Sequence, residues 1–356
     1  MNREKKMKSY RVTDFNQPIE EHDGPIPEPQ GTEILMRVTR AGVCHSDLHI
    51  WEGFYDFGGG SKLSLGERGL TPPITMGHEI FGEIVKAGPD ADDVAVGAPR
   101  LIYPWLGCGE CPTCLADREN HCLSPQSLGV FRPGGYAEYC LVPHPKHLVD
   151  IGDTDPSLAT PYACSGVTVY SALLKAMPIE KGEWLTIMGA GGLGLNAVAI
   201  ARALGIENIL CCDLDDQKLA TAGDIGATAT VNAGAADSLE QIKKITGGGP
   251  RAVVDTVGAE ATANLGIAAL PKGGRYVIVG LYGGGLTVPL PSLPLRAISI
   301  IGSYVGNLNE LKELMELVKT GAVPAIPVAT RPLAEVGQTL EDLRAGRIIG
   351  RVVLTN

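Results

Sequence analysis

An α/β protein, with a doubly wound parallel sheet joined to a second, mostly β domain, is what this sequence predicts. Three observations predict it. From about residue 160 onward, short apolar runs alternate with helical patterns. The first of those runs leads into a glycine-rich turn that opens a helix. Before residue 160 the chain is instead rich in Gly and Pro and carries isolated β-like runs. Alternating strands and helices imply βαβ units around a sheet buried on both faces. Gly- and Pro-punctuated strands without helices imply an irregular β domain with long loops.

The β-like runs of the first region are EILMRVTRAGV and EIFGEIVKAG, and Pro18, Pro25, Pro27 and Pro29 punctuate its start. FGGGSKLSLGERGL (57–70) reads as a surface loop. The second region predicts strands at 184–190, 208–214, 252–258, 275–280 and 297–303, with helical patterns in LNAVAIARALG and DQKLATAGDIG. The tail predicts a helix at 308–320, closed by Gly321, and a last strand in RVVLTN. The expected division is 1–160, 161–303 and 304–356.

Bulk properties narrow the function classes. A chain of 356 residues exceeds one ordinary core, which favours two domains. Its net charge of −10 repels phosphate backbones, so nucleic acid is not expected as a partner. No apolar stretch approaches the eighteen residues of a membrane span. The basic N-terminus, MNREKKMKSYRVTDF, lacks the apolar segment of a secretory signal, and either Met1 or Met7 could be the start. Nine cysteines, an odd number with no signal, point away from a disulfide framework and toward a reduced, cytoplasmic setting with metal-bound thiolates.

Gly189-Ala190-Gly191-Gly192-Leu193-Gly194 is a GxGxxG between a strand and a helix. Without Cβ atoms such a turn tightens, and a pyrophosphate can reach the free N–H groups and positive dipole of the helix N-terminus. Asp213 follows nineteen residues after Gly194, at the end of the next strand. A carboxylate there accepts ribose hydroxyls and repels a 2′-phosphate, which selects NAD over NADP. The plainer alternative is a solvated aspartate in a turn.

Two metal sites are expected. Cys108, Cys111, Cys114 and Cys122 form C-x2-C-x2-C-x7-C. Four thiolates suit a closed tetrahedral zinc. An iron–sulfur cluster is the competitor, but its common run has a last gap of three followed by proline. The second site is scattered: Cys44 in CHSDLH, His78 in GHE and Cys164 in ACSG. Taken singly each is a buried thiol or a loop histidine; two thiolates and one imidazole together match a catalytic zinc with an open fourth position. Cys140, Cys211 and Cys212 read as packing residues, and His22, His121, His144 and His147 as polar loop groups.

These motifs, with GGYAEY (134–139), CSGVTVYSAL (164–173) and the closing GRVVL (350–354), resemble the zinc-dependent medium-chain alcohol dehydrogenases over essentially the whole length. The resemblance implies a GroES-like catalytic domain, a Rossmann domain binding NAD, and a tail returning to complete the first. It implies two zinc ions per chain. Cys44, His78 and Cys164 would hold the catalytic one, with Glu79 behind it as an alternate ligand. Asp47 would orient His78, Ser46 would touch the substrate oxygen, and His49 would carry the proton outward. Thr168 would lie near the nicotinamide, His45 and Arg351 near the phosphates, Leu193 in the glycine turn and Lys218 near the adenosine ribose, with Val279 also binding the cofactor.

Trp105 and Trp51 are expected in the substrate pocket. Residues 50–76 look longer than the family's usual connection and carry four aromatic residues, so they either line the substrate mouth or pack at a domain or subunit contact. Primary alcohols and aldehydes, apolar or aromatic, are the expected substrates, and a homo-oligomer, tetramer before dimer, the expected assembly. Two alternatives stand beside this reading: a polyol or amino-alcohol dehydrogenase of the same superfamily, and a non-catalytic zinc- and nucleotide-binding protein.

Overall fold

A computed structural model describes residues 6–356. Residues 1–5, and with them the choice of Met1 as start, lie outside the described residues, whereas Met7 sits in the strand Lys6–Val12.

The second region forms a six-stranded, all-parallel sheet. In spatial order its strands are Ala229–Asn232, Asn208–Asp213, Trp184–Met188, Ala252–Asp255, Arg275–Ile278 and Ser299–Gly302. Alternate side chains enter two separate cores. Leu185, Ile187, Ile209, Cys211 and Val254 pack on one face, and Met188, Leu210, Cys212, Val253 and Tyr276 on the other. The central strands, covered on both faces, are therefore mostly apolar, with Thr186 a buried exception, which is why these runs show no alternation in the sequence. Cys211 and Cys212 are buried thiols on opposite faces, and Cys140 is buried in Tyr139–Val142.

The strands stop earlier than the apolar runs, for local reasons. Trp184–Met188 ends where Gly189 takes φ +95°. Ala252–Asp255 ends where the Asp255 carboxylate accepts the N–H groups of Val257 and Gly258. The short strand Ala229–Asn232 and the helices Ser238–Ile245 and Glu260–Ala269 were not legible; the strand is an edge of four residues with little apolar content.

The first region and the tail share a seven-stranded mixed sheet. Ile34–Val43 lies near its centre, flanked by Glu79–Ala87 and by the C-terminal strand Arg351–Thr355, both antiparallel to it. Tyr139–Val142 pairs with its first residues. The tail thus completes a sheet begun three hundred residues earlier, and Arg351 enters the site through that strand. The expected loop 57–70 holds the turn and the second strand of a hairpin, Phe54–Asp56 with Lys62–Ser64. None of the helices among the described residues is long and apolar enough to cross a membrane.

Candidate active site

The chain leaves the central strand at Val43, and Cys44 caps the helix His45–Glu52. Asp47, in the first turn, is fully buried. One carboxylate oxygen, Oδ2, accepts the Cys44 N–H at 2.9 Å and the Tyr136 hydroxyl at 2.8 Å. The other, Oδ1, faces His78 Nδ1 at 3.1 Å. His78 follows Gly77, whose φ is +87°; a Cβ there would fall 2.6 Å from the Tyr136 ring. Cys164 stands where a short 3-10 turn passes into the helix Ser165–Ala176.

Three distant segments thereby meet. Donor atoms of Cys44, His78 and Cys164 all lie within 4.8 Å of one another, and the two sulfurs are 3.8 Å apart. Metal–sulfur bonds of ~2.3 Å at tetrahedral angles place two sulfurs about 3.8 Å apart, so the set fits zinc. Both His78 ring nitrogens are buried without a hydrogen bond of good geometry; Nδ1 is the one facing Asp47 Oδ1, which leaves Nε2 for a metal. The neighbouring Cys164 thiol, with the Arg351 and His78 charges, holds the Cys44 thiol well below its ordinary range.

Glu79 is buried beside this cluster but outside the donor set. Its Oε1 is taken by the Arg351 guanidinium and lies 3.4 Å from the Ser165 N–H, while Oε2 has no partner. Burial pushes its carboxyl up to about 7, against the pull of Arg351. As an alternate metal ligand it would first have to release that arginine. Arg351 does line the cleft beside Gly192, where a Cβ would fall 2.3 Å from its Cδ; its Nη2 pairs with Glu79, while its Nε is buried without a partner.

One cavity of 370 Å³ runs from this cluster to the glycine turn. Ser46, His45, His49, Thr168, Leu193, Asp213, Lys218 and Val279 all line it. His49 lies 4.8 Å from the Tyr55 ring and 5.7 Å from His45, centroid to centroid. Burial, then the nearby His45, pushes His49 down to about 4, so it is neutral at physiological pH. The Thr168 hydroxyl oxygen is buried and unpartnered.

At the glycine end, a Cβ on Gly194 would fall 1.8 Å from the Gly189 carbonyl oxygen, so the turn closes only on glycine. Nothing lies within 4 Å of a Cβ built on Gly191, which leaves its surface open to a ligand. Asp213 Oδ2 accepts the Ala190 N–H at 2.6 Å, tying the acidic residue to the same turn.

The two tryptophans part company. Trp105 lines the cavity with its ring 5.2 Å from His78, anchored by an indole N–H donated to the Ala163 carbonyl at 3.0 Å. Trp51 does not line it. Its ring is buried on the far side of the helix, donating to the Gln17 carbonyl at 2.5 Å and covered by Arg344 at 4.9 Å. Trp51 lies about 100° round the helix from Ile50, its last residue on the cavity wall, so Ile50, Tyr55 and Leu65 supply the wall from the 50–76 segment instead. The sequence singled out Tyr55 only as one of four aromatics, and Tyr136 only as part of GGYAEY.

In the cysteine lobe, sulfur–sulfur distances of 3.5–3.9 Å match the tetrahedral edge derived above. The lobe leans on a histidine that the sequence reading left as a polar loop group. His147 is buried, with Nε2 3.3 Å from Glu119 Oε2. Glu119 also pairs with Lys146 and accepts the Gly107 N–H at 3.3 Å. Burial alone would raise the Glu119 carboxyl; His147 and Lys146 outweigh it and hold it at about 2.

Comparison with known proteins agrees with this geometry. Residues 30–153 match the alcohol dehydrogenase GroES-like domain, and residues 192–320 the family described as zinc-binding dehydrogenase. An NAD-dependent alcohol dehydrogenase of Sulfurisphaera tokodaii is 36% identical over 350 residues, 98% of this chain and 99% of that one. The crystal structure of the alcohol dehydrogenase from Aeropyrum pernix superposes with a TM-score of 0.89 at 31% identity, covering 98% of this chain and 100% of the other. An acetophenone reductase from Geotrichum candidum, solved with NAD, superposes with a TM-score of 0.86 at 28% identity, covering 100% and 98%.

Proposed function

The chain belongs to the zinc-dependent medium-chain alcohol dehydrogenase family, and on that premise we propose that it interconverts small primary alcohols and aldehydes, apolar or aromatic, with NAD as hydride partner. One observation carries the proposal: the Cys44–His78–Cys164 cluster and the glycine turn with Asp213 open into the same cavity. Among the side chains that line this cavity, Trp105, Tyr55, Leu65 and Val130 are apolar or aromatic. They favour a carbon chain or ring over a polyol.

Cys44, His78 and Cys164 would hold the catalytic zinc, and Cys108, Cys111, Cys114 and Cys122 the second ion. The bound groups supply Lewis acidity and hydride acceptance. The remaining work belongs to the chain. Asp47 fixes the His78 ring through Nδ1, leaving Nε2 directed at the cluster. Ser46 Oγ takes the substrate's hydroxyl proton, and neutral His49 accepts it toward solvent. Trp105 and Tyr55 exclude water. Asp213 selects NAD, and Thr168, Val279, His45 and Lys218 line the rest of the cofactor's path. Residues 1–160 with 304–356 would act as the catalytic domain and 161–303 as the NAD domain.

Apolar side chains near the outer strand Ser299–Gly302, among them Leu290, Leu295 and Ile300, are exposed, and that strand pairs on one side only among the described residues. This edge is consistent with self-association, and we propose a homo-oligomer, tetramer before dimer; a cytoplasmic setting is proposed from the reduced cysteines alone. The decisive experiment is NADH formation by the purified protein across short, secondary, aromatic and polyol alcohols. A ranking led by aromatic or medium-chain primary alcohols is expected. Turnover confined to polyols would overturn the substrate class, and none on any alcohol with zinc fully loaded would overturn the reading.

A further inference from the structure

A second recess lies against the substrate cavity, and none of the expected site residues lines it. It holds 280 Å³ and is walled by the strand Lys6–Val12, the segment 69–75 and the turn 130–133. Two arginines line it, Arg11 and Arg132, with the hydroxyl-bearing Thr71 and Thr75 and the apolar Leu70 and Phe131. No aspartate or glutamate lines it.

The two guanidinium groups are held but not neutralised. Arg11 Nε donates to Ser9 Oγ at 3.1 Å, and Arg132 Nε to Gln126 Oε1 at 3.4 Å. Their Nη groups have no hydrogen-bond partner among the described residues, and neither arginine forms an ion pair there. Glu20 sits directly across the strand pair from Arg11, yet its Oε1 accepts the Thr13 hydroxyl at 3.2 Å instead. Elsewhere Arg37, Arg331, Arg344, Arg347 and Arg351 each meet a carboxylate.

Like charges in one half-buried recess repel, and partial burial weakens the screening that water and salt would give. In a chain of net charge −10, such a recess is a local reversal of the field. A planar guanidinium offers parallel N–H donors spaced for two oxygens of one carboxylate or phosphate. Two such groups with free Nη ends, and hydroxyls beside them, suit one small anion with several oxygens and repel a cation.

Val130 decides whether that anion is free or the tail of a substrate. Among the described residues it is the one that lines both spaces, so it stands as a wall between them. The turn that carries it is braced. The Ser127 carbonyl accepts the N–H groups of Phe131 at 2.9 Å and Arg132 at 3.1 Å, and a Cβ on Gly129 would fall 2.6 Å from the Gly77 backbone. A substrate held at the Cys44–His78–Cys164 cluster would have to unseat that turn to reach the arginines.

We infer that Arg11 and Arg132 form a binding site for one small free oxyanion, phosphate or a carboxylate, beside the substrate cavity. The probe is inorganic phosphate, titrated by calorimetry at constant ionic strength into the zinc-loaded enzyme. NADH is present in excess so that the glycine turn is filled.

Wild type should bind about one phosphate per chain. Arg132→Gln and Arg11→Gln should each weaken it about tenfold or more, the loss of one charge-assisted contact, and Arg132→Lys should keep part of the affinity. Arg37→Gln, which removes a charge outside the recess, should leave it within about twofold. No binding heat by roughly 10 mM phosphate, binding that both glutamine variants retain, or equal weakening by Arg37→Gln would each overturn the inference. Two substrates, ω-hydroxyhexanoate and hexanol, separate the sources of the anion: Arg132→Gln should leave the ratio of their KM values unchanged. A KM that rises for the hydroxy acid alone would give the arginines to the substrate's own carboxylate and overturn the free-anion site.

Discussion

The two cysteine clusters make the same kind of site by opposite routes. Cys108, Cys111, Cys114 and Cys122 come from one stretch of fifteen residues, and two of the four are only half-buried. Cys44, His78 and Cys164 come from three segments spread over a hundred and twenty residues, and all three are buried. The local lobe has little regular structure, a four-residue helix and a 3-10 turn, so its own sulfurs must organise it. The dispersed cluster has buried polar support behind its ligands: Asp47 accepts the Cys44 N–H and the Tyr136 hydroxyl and faces the His78 ring. The difference teaches that an ion can serve as a fold's staple or as its reagent, and that the polar groups behind the ligands tell which.

The comparison can be broken most directly at the ligands. Cys44→Ser should remove about one zinc per chain and lower turnover by about a thousandfold or more, several kcal/mol of lost electrophilic stabilisation, while the melting temperature changes little. Metal analysis beside kinetics and thermal melting checks it; wild-type turnover would place the catalytic metal elsewhere. Cys111→Ser should do the reverse, lowering the melting temperature clearly while leaving residual turnover per folded molecule near wild type.

The next effect in size sharpens the claim that Asp47 supports the dispersed cluster. Asp47→Asn should cost about ten- to a hundredfold in catalytic-zinc affinity, read by competition with a chelator. Zinc retention equal to wild type would remove Asp47 from its orienting role.

The smallest effect concerns the lobe's one deep tether. Glu119→Gln should destabilise by ~1–2 kcal/mol at neutral pH, since His147, Lys146 and the Gly107 N–H lose a charged acceptor. The sign with pH follows from the folded state holding Glu119 at about 2, below the ordinary 4.5. Its stabilisation is present above 4.5 and is lost as pH falls from there toward 2. Melting curves of wild type and Glu119→Gln should therefore converge on acidification; a gap that stays constant down to pH 3 would show that charge on Glu119 is not what anchors the lobe.

Legibility in the sequence followed the range of the interactions. The C-x2-C-x2-C-x7-C lobe, the GxGxxG turn and Asp213 could be read because each depends on chain geometry within a few residues or one βαβ unit. Trp51 and Trp105 could not be told apart by composition. Which aromatic faces the cavity depends on where a single turn of the helix His45–Glu52 points once it packs beneath Arg344 and Gln17. His147 looked like any loop histidine because its partner, Glu119, lies twenty-eight residues away inside the lobe.

What the sequence by itself determined was the fold class, the glycine turn with its acidic partner, and the four-thiolate lobe, because spacing along a stiff chain already places those atoms. Only the tertiary structure decided that Arg351 pairs with Glu79 and that Tyr55 rather than Trp51 walls the cavity. Those outcomes rest on contacts between side chains that the sequence separates by up to 272 residues. Burial makes such contacts obligatory, since a polar group taken out of water must find a partner wherever the fold brings one.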